Sequence, residues 1–274
     1  MPVRDAEDTV RSAASSTLRA LPQDAELVVI DDASRDGTQL ALSSVHDSRL
    51  RVITREESGG VASALSLGLE STSSEFVGRM DADDVSLPWR FRYQMYALKY
   101  LDVVFTGIVH FGSTIPRPTD PIYLGPRVFN LTLAIENPFS HPTMLARRSA
   151  IESVGGYREV LAEDYDLWLR IAAAGSRMCR LPLPALMYRH HVGQVTKIQA
   201  WRKRALAEPA LRESYERFAE SLLGASATWY QDLLDGGRSS ELDGLANLLR
   251  GLARAEPRAQ RSNLDRRIKR QISQ

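Results

Sequence analysis

Three times before residue 90, the chain runs through a short β-branched apolar stretch, stops at a polar turn and opens a helical one. Glu26–Ile30 (ELVVI) ends at Asp31-Asp32, Leu50–Thr54 (LRVIT) runs on to Gly59-Gly60, and Glu75–Met80 ends at Asp81-Ala82-Asp83-Asp84. Runs this short and apolar read as buried strands. Helical stretches follow at Val61–Leu69 and from about Pro88 to Leu101, the latter capped by Ser86 with its proline in the first turn. Upstream, Val10, Ala13, Ala14 and Leu18 recur at helical spacing. Parallel neighbours need a crossover helix, so this alternation predicts an α/β fold with a doubly wound, mostly parallel sheet.

Farther along, Leu101–Phe111 reads as another strand and the proline-rich Ser113–Gly125 as a loop. Asn137–Arg148 holds a second loop with a short strand. Ala162–Ala174 has helical periodicity closed by Gly175, and Leu181–His190 is extended. Beyond about residue 200 the composition turns to Ala, Leu, Arg and Glu, which predicts two or three amphipathic helices added to the sheet domain. The boundaries read as a sheet domain over 1–199 and a helical extension over 200–274.

The 274 residues are 43% hydrophobic, enough for one sizeable core. A net charge of +1 gives no global attraction to nucleic acid. One cysteine, Cys179, allows neither an internal disulfide nor a thiolate zinc site, and fits a reducing cytoplasm. No apolar stretch approaches the roughly 20 residues of a spanning helix. Local charge is another matter. Between Arg250 and Gln274, eight basic residues face Glu256 and Asp265. Such a tail is either a solvated helix face or a patch for anionic headgroups at the inner face of a membrane.

Chemistry concentrates in three acidic clusters: Asp31-Asp32, Asp81 to Asp84, and Glu163-Asp164. Ligands of open α/β sheets bind beyond the carboxyl ends of strands, where the first two clusters lie. Converging carboxylates repel unless a cation sits among them, and all-oxygen ligands suit Mg²⁺ or Mn²⁺. Each cluster also has a structural reading. Asp is a common capping residue, and acidic residues at a helix start favour the macrodipole.

The order of these motifs resembles that of the family 2 glycosyltransferases with the GT-A fold, from Met1 to about Thr196. Met1-Pro2-Val3-Arg4-Asp5-Ala6-Glu7 resembles the end of that family's first strand, P-V-Y-N-x-E. Asp31 to Thr38 is similar to D-D-x-S-x-D-G-T, Asp81-Ala82-Asp83 to D-x-D, Glu163-Asp164 to the segment supplying the base, and Tyr188 to His191 to Y-R-x-H. The resemblance implies an inverting transfer from a nucleotide-sugar donor, of UDP type, to a saccharide or lipid-linked acceptor hydroxyl in envelope polysaccharide or glycolipid synthesis. It gives Pro2, Val3, Arg4, Glu7, Asp31, Asp32, Ser34, Asp81 and Ala82 to the nucleotide, with Arg55 a further candidate for the pyrophosphate. Strand alternation turns only one of Asp31 and Asp32 toward the ligand. Asp83 and His191, with His190 as rival, become metal or diphosphate contacts, and Asp164 the general base.

His141, Glu163 and Trp168 are candidates for donor sugar or acceptor, against readings as a loop histidine, a helix-start acid and a core tryptophan. Arg4 stands where the family has tyrosine, and Asp5, Ser58 and Ser66 where it has asparagine. Two alternatives compete: a sugar-nucleotidyltransferase, for which Met1–Ala20 lacks the glycine loop, and a nucleotide-binding scaffold without turnover. Since the P-V motif begins at Met1, the first strand is expected to be truncated, leaving a gap beside Glu26–Ile30 or another segment filling it.

Overall fold

The computed structural model describes residues 1–112, 115–190, 199–224, 226–235 and 239–272. Its first half is a parallel β/α unit. Strand β1 (Pro2–Val3) leads to α1 (Val10–Ala20), β2 (Leu27–Asp31) to α2 (Thr38–Ser43), and β3 (Leu50–Thr54) to α3 (Gly60–Glu70). The three strands pair in parallel in the order β1-β2-β3, with Pro2 opposite Ile30 and Leu27 opposite Leu50. Val10, Ala14 and Leu18 fall on one face of α1 and pack with Val3, Leu27, Val29 and Leu42.

A second sheet begins with β4 (Phe76–Gly78) and β5 (Val85–Ser86), and α4 (Arg90–Ala97) leads on to β6 (Val103–Gly112). It gains β7 (Arg117–Pro118), β8 (Leu145–Arg147) and β9 (Met178–His190), in the order β4-β8-β6-β9-β5 with β7 on β6. Helices α5 (Pro126–Leu133), α6 (Arg148–Glu152) and α7 (Glu163–Ala173) cover it. The α/β architecture with a parallel sheet is the one the alternation predicts. This second sheet is mixed: β6 and β9 run parallel, whereas β4–β8, β6–β8 and β5–β9 are antiparallel. The chain reaches β8 from β6 by way of β7, α5 and a short 3-10 turn at His141–Thr143.

The two sheets do not join. The outer edge of β1 and the edge of β4 are separated by a cavity of about 850 Å³ whose walls include Met1, Val28, Ile30, Phe76, Gly78 and Met80. The gap expected beside the second strand is present. At its head the Met1 ammonium donates to the Val28 carbonyl at 2.8 Å, and burial, aided by Arg79, pushes that ammonium down to about 5.

Among the described residues five helices follow: α8 (Gln199–Leu206), α9 (Pro209–Leu223), α10 (Tyr230–Asp235), α11 (Ser240–Leu252) and α12 (Arg258–Ile272). That is more than the two or three predicted. These helices pack into the sheet domain. Tyr215 and Phe218 of α9 share one apolar core with Phe105, Phe129 and Trp168 of the sheet domain. The Ser214 hydroxyl donates to buried Asp166 at 2.6 Å, and the Tyr215 hydroxyl to the Ala134 carbonyl at 2.5 Å. Phe105 meets Trp168 edge-on at 4.9 Å, an aromatic contact worth about 0.5–1.5 kcal/mol beyond area burial. α5 itself lies inside a stretch from which no helix was predicted; its apolar residues face both α7 and α12.

Candidate active site

A crevice of about 690 Å³ opens where β1 and β2 end and the 81–84 turn begins, with Pro2, Val3, Arg4, Glu7, Asp32, Asp81, Ala82 and Asp83 among its lining residues. Eight of the predicted nucleotide and metal positions are therefore neighbours. The turns holding them are strained: Asp5 and Ala33 have φ of 48° and 61°, left-handed values unusual for residues with a Cβ. Ala33 redirects the chain between Asp32 and Ser34. Glu7 stabilises that turn from across the crevice, its carboxylate accepting the Gly37 N–H at 2.6 Å.

The paired aspartates part company. Asp31 points inward, fully buried, and accepts from the Ser34 N–H at 3.0 Å and the Gln39 amide at 2.9 Å. It is a turn-fixing residue and does not line the crevice. Asp32 faces the crevice, and its oxygens accept from the Ser58 hydroxyl (2.7 Å) and the Gly59 and Gly60 N–H groups (both 2.9 Å). Burial works against its charge, but these donors and Arg55 at 3.1 Å hold the carboxyl below its usual range. Arg55 is thereby committed to Asp32 and to the Ser63 hydroxyl at 3.0 Å. With Arg4 and Ser34 it borders a smaller hollow of about 340 Å³ beside the crevice, rather than the crevice itself. Arg4 reaches the Ser58 hydroxyl at 2.5 Å, so it belongs to both spaces.

Asp81, Asp83 and Asp84 bring carboxylate oxygens within 4.8 Å of one another. The turn is fixed by β9: the Arg189 N–H donates to Asp84 Oδ1, and its Nε–H to the Asp83 carbonyl, both at 2.8 Å. Below it, buried Arg90 donates to the Arg79 carbonyl at 2.7 Å. Asp84 Oδ2 is buried without a hydrogen-bond partner among the described residues. Burial, then Asp81 and Asp83, push the Asp84 carboxyl up to about 8. A divalent cation fits this set, since Arg79 pairs with Asp81 alone and three converging carboxylates with one orphaned oxygen remain.

Asp164 stands at the start of α7. Its Oδ2 accepts from the Asn137 amide at 2.9 Å, its Oδ1 from the Tyr165 N–H at 2.7 Å, and burial with neighbouring Glu163 raises its pKa. Glu163 is raised too, by burial, against the pull of Arg79. His141 lies 3.6 Å from Glu163 and 3.0 Å from the Tyr157 hydroxyl, and burial lowers it to about 3, so its ring is neutral. Arg79 connects this acidic pair to the crevice. Buried and paired with Asp81, it lines the crevice, and its charge acts on Glu163 and Tyr157.

Trp168 is fully buried between Phe105 and His141, which places it in the core and away from any acceptor. His190 stacks on His110, with ring nitrogens 2.7 Å apart. His191 lies outside the described residues. Arg79, Asn137 and Tyr157 have no role in the sequence reading, and Arg189 enters it only as part of the Y-R-x-H segment. A cation within the otherwise apolar FVGRM run was the one readable signal, for Arg79.

The sequence matches the family described as Glycosyl transferase family 2 over residues 1–155. It is 31% identical over 156 residues to the amylovoran biosynthesis glycosyltransferase AmsE of Erwinia amylovora, covering 56% of this chain and 59% of that protein. A 27% match over 186 residues, covering 62% and 67%, is to an Escherichia coli protein, the UDP-Glc:alpha-D-GlcNAc-diphosphoundecaprenol beta-1,3-glucosyltransferase WfgD. The chain thus spans less than two thirds of the length of AmsE. Among solved structures, TarS 1-349 of S. aureus in complex with UDP-GlcNAc has the same fold at a TM-score of 0.61, with 16% identity and coverage of 98% of this chain and 89% of that one. With more than half of its length matched by the family, this chain belongs to glycosyl transferase family 2.

Proposed function

We propose that the chain is a metal-dependent, inverting glycosyltransferase. It moves a sugar from a nucleotide-diphosphate sugar of UDP type to an acceptor hydroxyl in envelope polysaccharide or glycolipid synthesis. The observation that carries this reading is the meeting of Asp32, Asp81 and Asp83 in one crevice, whose wall residue Arg79 acts on Glu163, the neighbour of the raised carboxylate Asp164. Asp32 orders the loop against which the base lies and Asp81 meets the ribose. Asp83, with Asp81 or Asp84 beside it, would hold Mn²⁺ or Mg²⁺, which when bound neutralises charge on the departing diphosphate. Asp164 takes the proton of the acceptor hydroxyl as that oxygen attacks the anomeric carbon from the face opposite the diphosphate. A carboxylate raised by burial is a stronger base than an exposed one, which suits the step. One displacement inverts the carbon. Glu163, beside Asp164 in sequence, and neutral His141, 3.6 Å from Glu163, suit the hydroxyls of donor or acceptor.

The acceptor is a saccharide or a lipid-linked one, the class printed in the name of the E. coli relative. No helix of the described residues is long and apolar enough to cross a membrane. Contact with the inner face would therefore be peripheral, through the exposed arginines Arg254, Arg258 and Arg261 around a hollow between α11 and α12.

Calorimetry with UDP tests the donor side. Binding is expected to require Mn²⁺ and to be lost in Asp83→Ala; equal affinity in chelator, or normal binding by the variant, contradicts the metal role.

A further inference from the structure

Glu136 follows α5 and is 9% exposed, yet it has no acidic work to do in the crevice. Its two oxygens are taken by α12. Arg267 pairs with it, Arg270 donates at 2.8 and 2.7 Å, and the Gln271 amide donates at 2.7 Å. Burial of Glu136 is overcome by the two guanidinium groups, and its pKa is lowered. The other end of α5 is held by the same helix, where the Gly125 N–H donates to Gln260 at 2.9 Å. α12 therefore lies along α5 in the same direction and fastens both of its ends, 135 residues away in sequence.

The next residue after Glu136 is Asn137, whose Nδ2 donates to Asp164 Oδ2 at 2.9 Å. An ionised carboxylate only accepts, which fixes the amide with its NH₂ toward Asp164. Pro138 stiffens the backbone immediately beyond. The clamp thus ends one residue from the hydrogen bond that orients the acceptor-side carboxylate.

We infer that α12 is a positioning element for Asp164: by clamping Glu136 it fixes Asn137, and Asn137 fixes the carboxylate. The catalytic meaning of this rests on Asp164 being the base; the coupling itself does not. Around Asp164 the other charged or titratable groups are Glu163, His141, Tyr157 and Tyr165. Removing Arg267 and Arg270 would loosen Asn137, withdraw its N–H from Asp164 and raise the carboxyl further, because a donor to the charged form is lost.

The test is ¹³C-carboxyl NMR of the aspartate-labelled full chain, with the Asp164 signal assigned by its loss in Asp164→Asn. The pKa of Asp164 is expected to rise by about one unit in Asn137→Ala, the scale of one hydrogen bond to a charged group. Arg267→Ala/Arg270→Ala should move it in the same direction, and combining both changes should add little, since they act in series. Should the double variant melt early, Arg270→Gln at the more exposed residue gives the same direction with smaller size, and Arg267→Lys restores the parental titration. An Asp164 titration unmoved by the arginine variants, or additive with Asn137→Ala, overturns the coupling. Transfer at the parental rate by Asp164→Asn would remove the base reading and leave this coupling standing.

Discussion

Asp31 and Asp32 are adjacent, identical in chemistry and opposite in role. The alternation of a strand sends one into the turn and the other to the crevice, so the sequence limits the choice to one of two without naming it. The same holds at Glu163-Asp164, where helix geometry decides which acid meets Asn137. What no motif announced is Arg79, whose role depends on strands that meet only in the fold. Asp84 gives a prediction at this scale. Its folded pKa, about 8, lies above the unfolded value, so its stabilising contribution is present at low pH and lost as pH rises through 8. A cation that replaces the proton restores it. Mn²⁺ should therefore raise the melting temperature more at about pH 9 than at about pH 6. A gain independent of pH would mean that Asp84 does not share the cation's field.

Strands were legible as far as their cores: β2 and β3 fall within a residue of their predicted limits because β-branched runs and polar turns mark them. Partnership was less so. Nothing in Phe76–Gly78 or Leu145–Arg147 tells that they pair with each other in antiparallel, since register depends on which edges the rest of the fold leaves free. The slot between β1–β2 and β4 is the clearest consequence. It is walled by apolar side chains and headed by an ammonium that donates to Val28 as a peptide N–H would. An engineered extension of about five β-branched residues before Met1 should enter it as a strand and raise the melting temperature by about 4 °C or more. No change, or a lower value, would show that the slot does not accept a strand.

On the scale of the whole molecule, the helical extension was visible as a change in composition, but its share in the core was not. An amphipathic stripe shows that a helix buries one face, and leaves open against what. The basic run divides in the same way. Arg250 pairs with Asp265, Arg266 with Asp120, and Arg267 and Arg270 with Glu136, which makes half of the run structural. Arg254, Arg258 and Arg261 remain exposed around a hollow of about 280 Å³. Sedimentation with phosphatidylglycerol vesicles should detect binding by the full chain. Replacing these three by Gln should weaken it by about 100-fold, near 1 kcal/mol for each arginine. A variant that binds like its parent, or a parent that does not bind, would remove the membrane reading and leave the crevice chemistry untouched.

That chemistry is tested most directly by Asp164→Asn, with donor binding and sugar transfer measured on the same preparation. Asn keeps the shape of the side chain and cannot take a proton. Donor affinity should stay at the parental value while transfer falls by about 10²-fold or more, the scale expected for a positioned general base. Transfer at the parental rate would contradict the account at its centre.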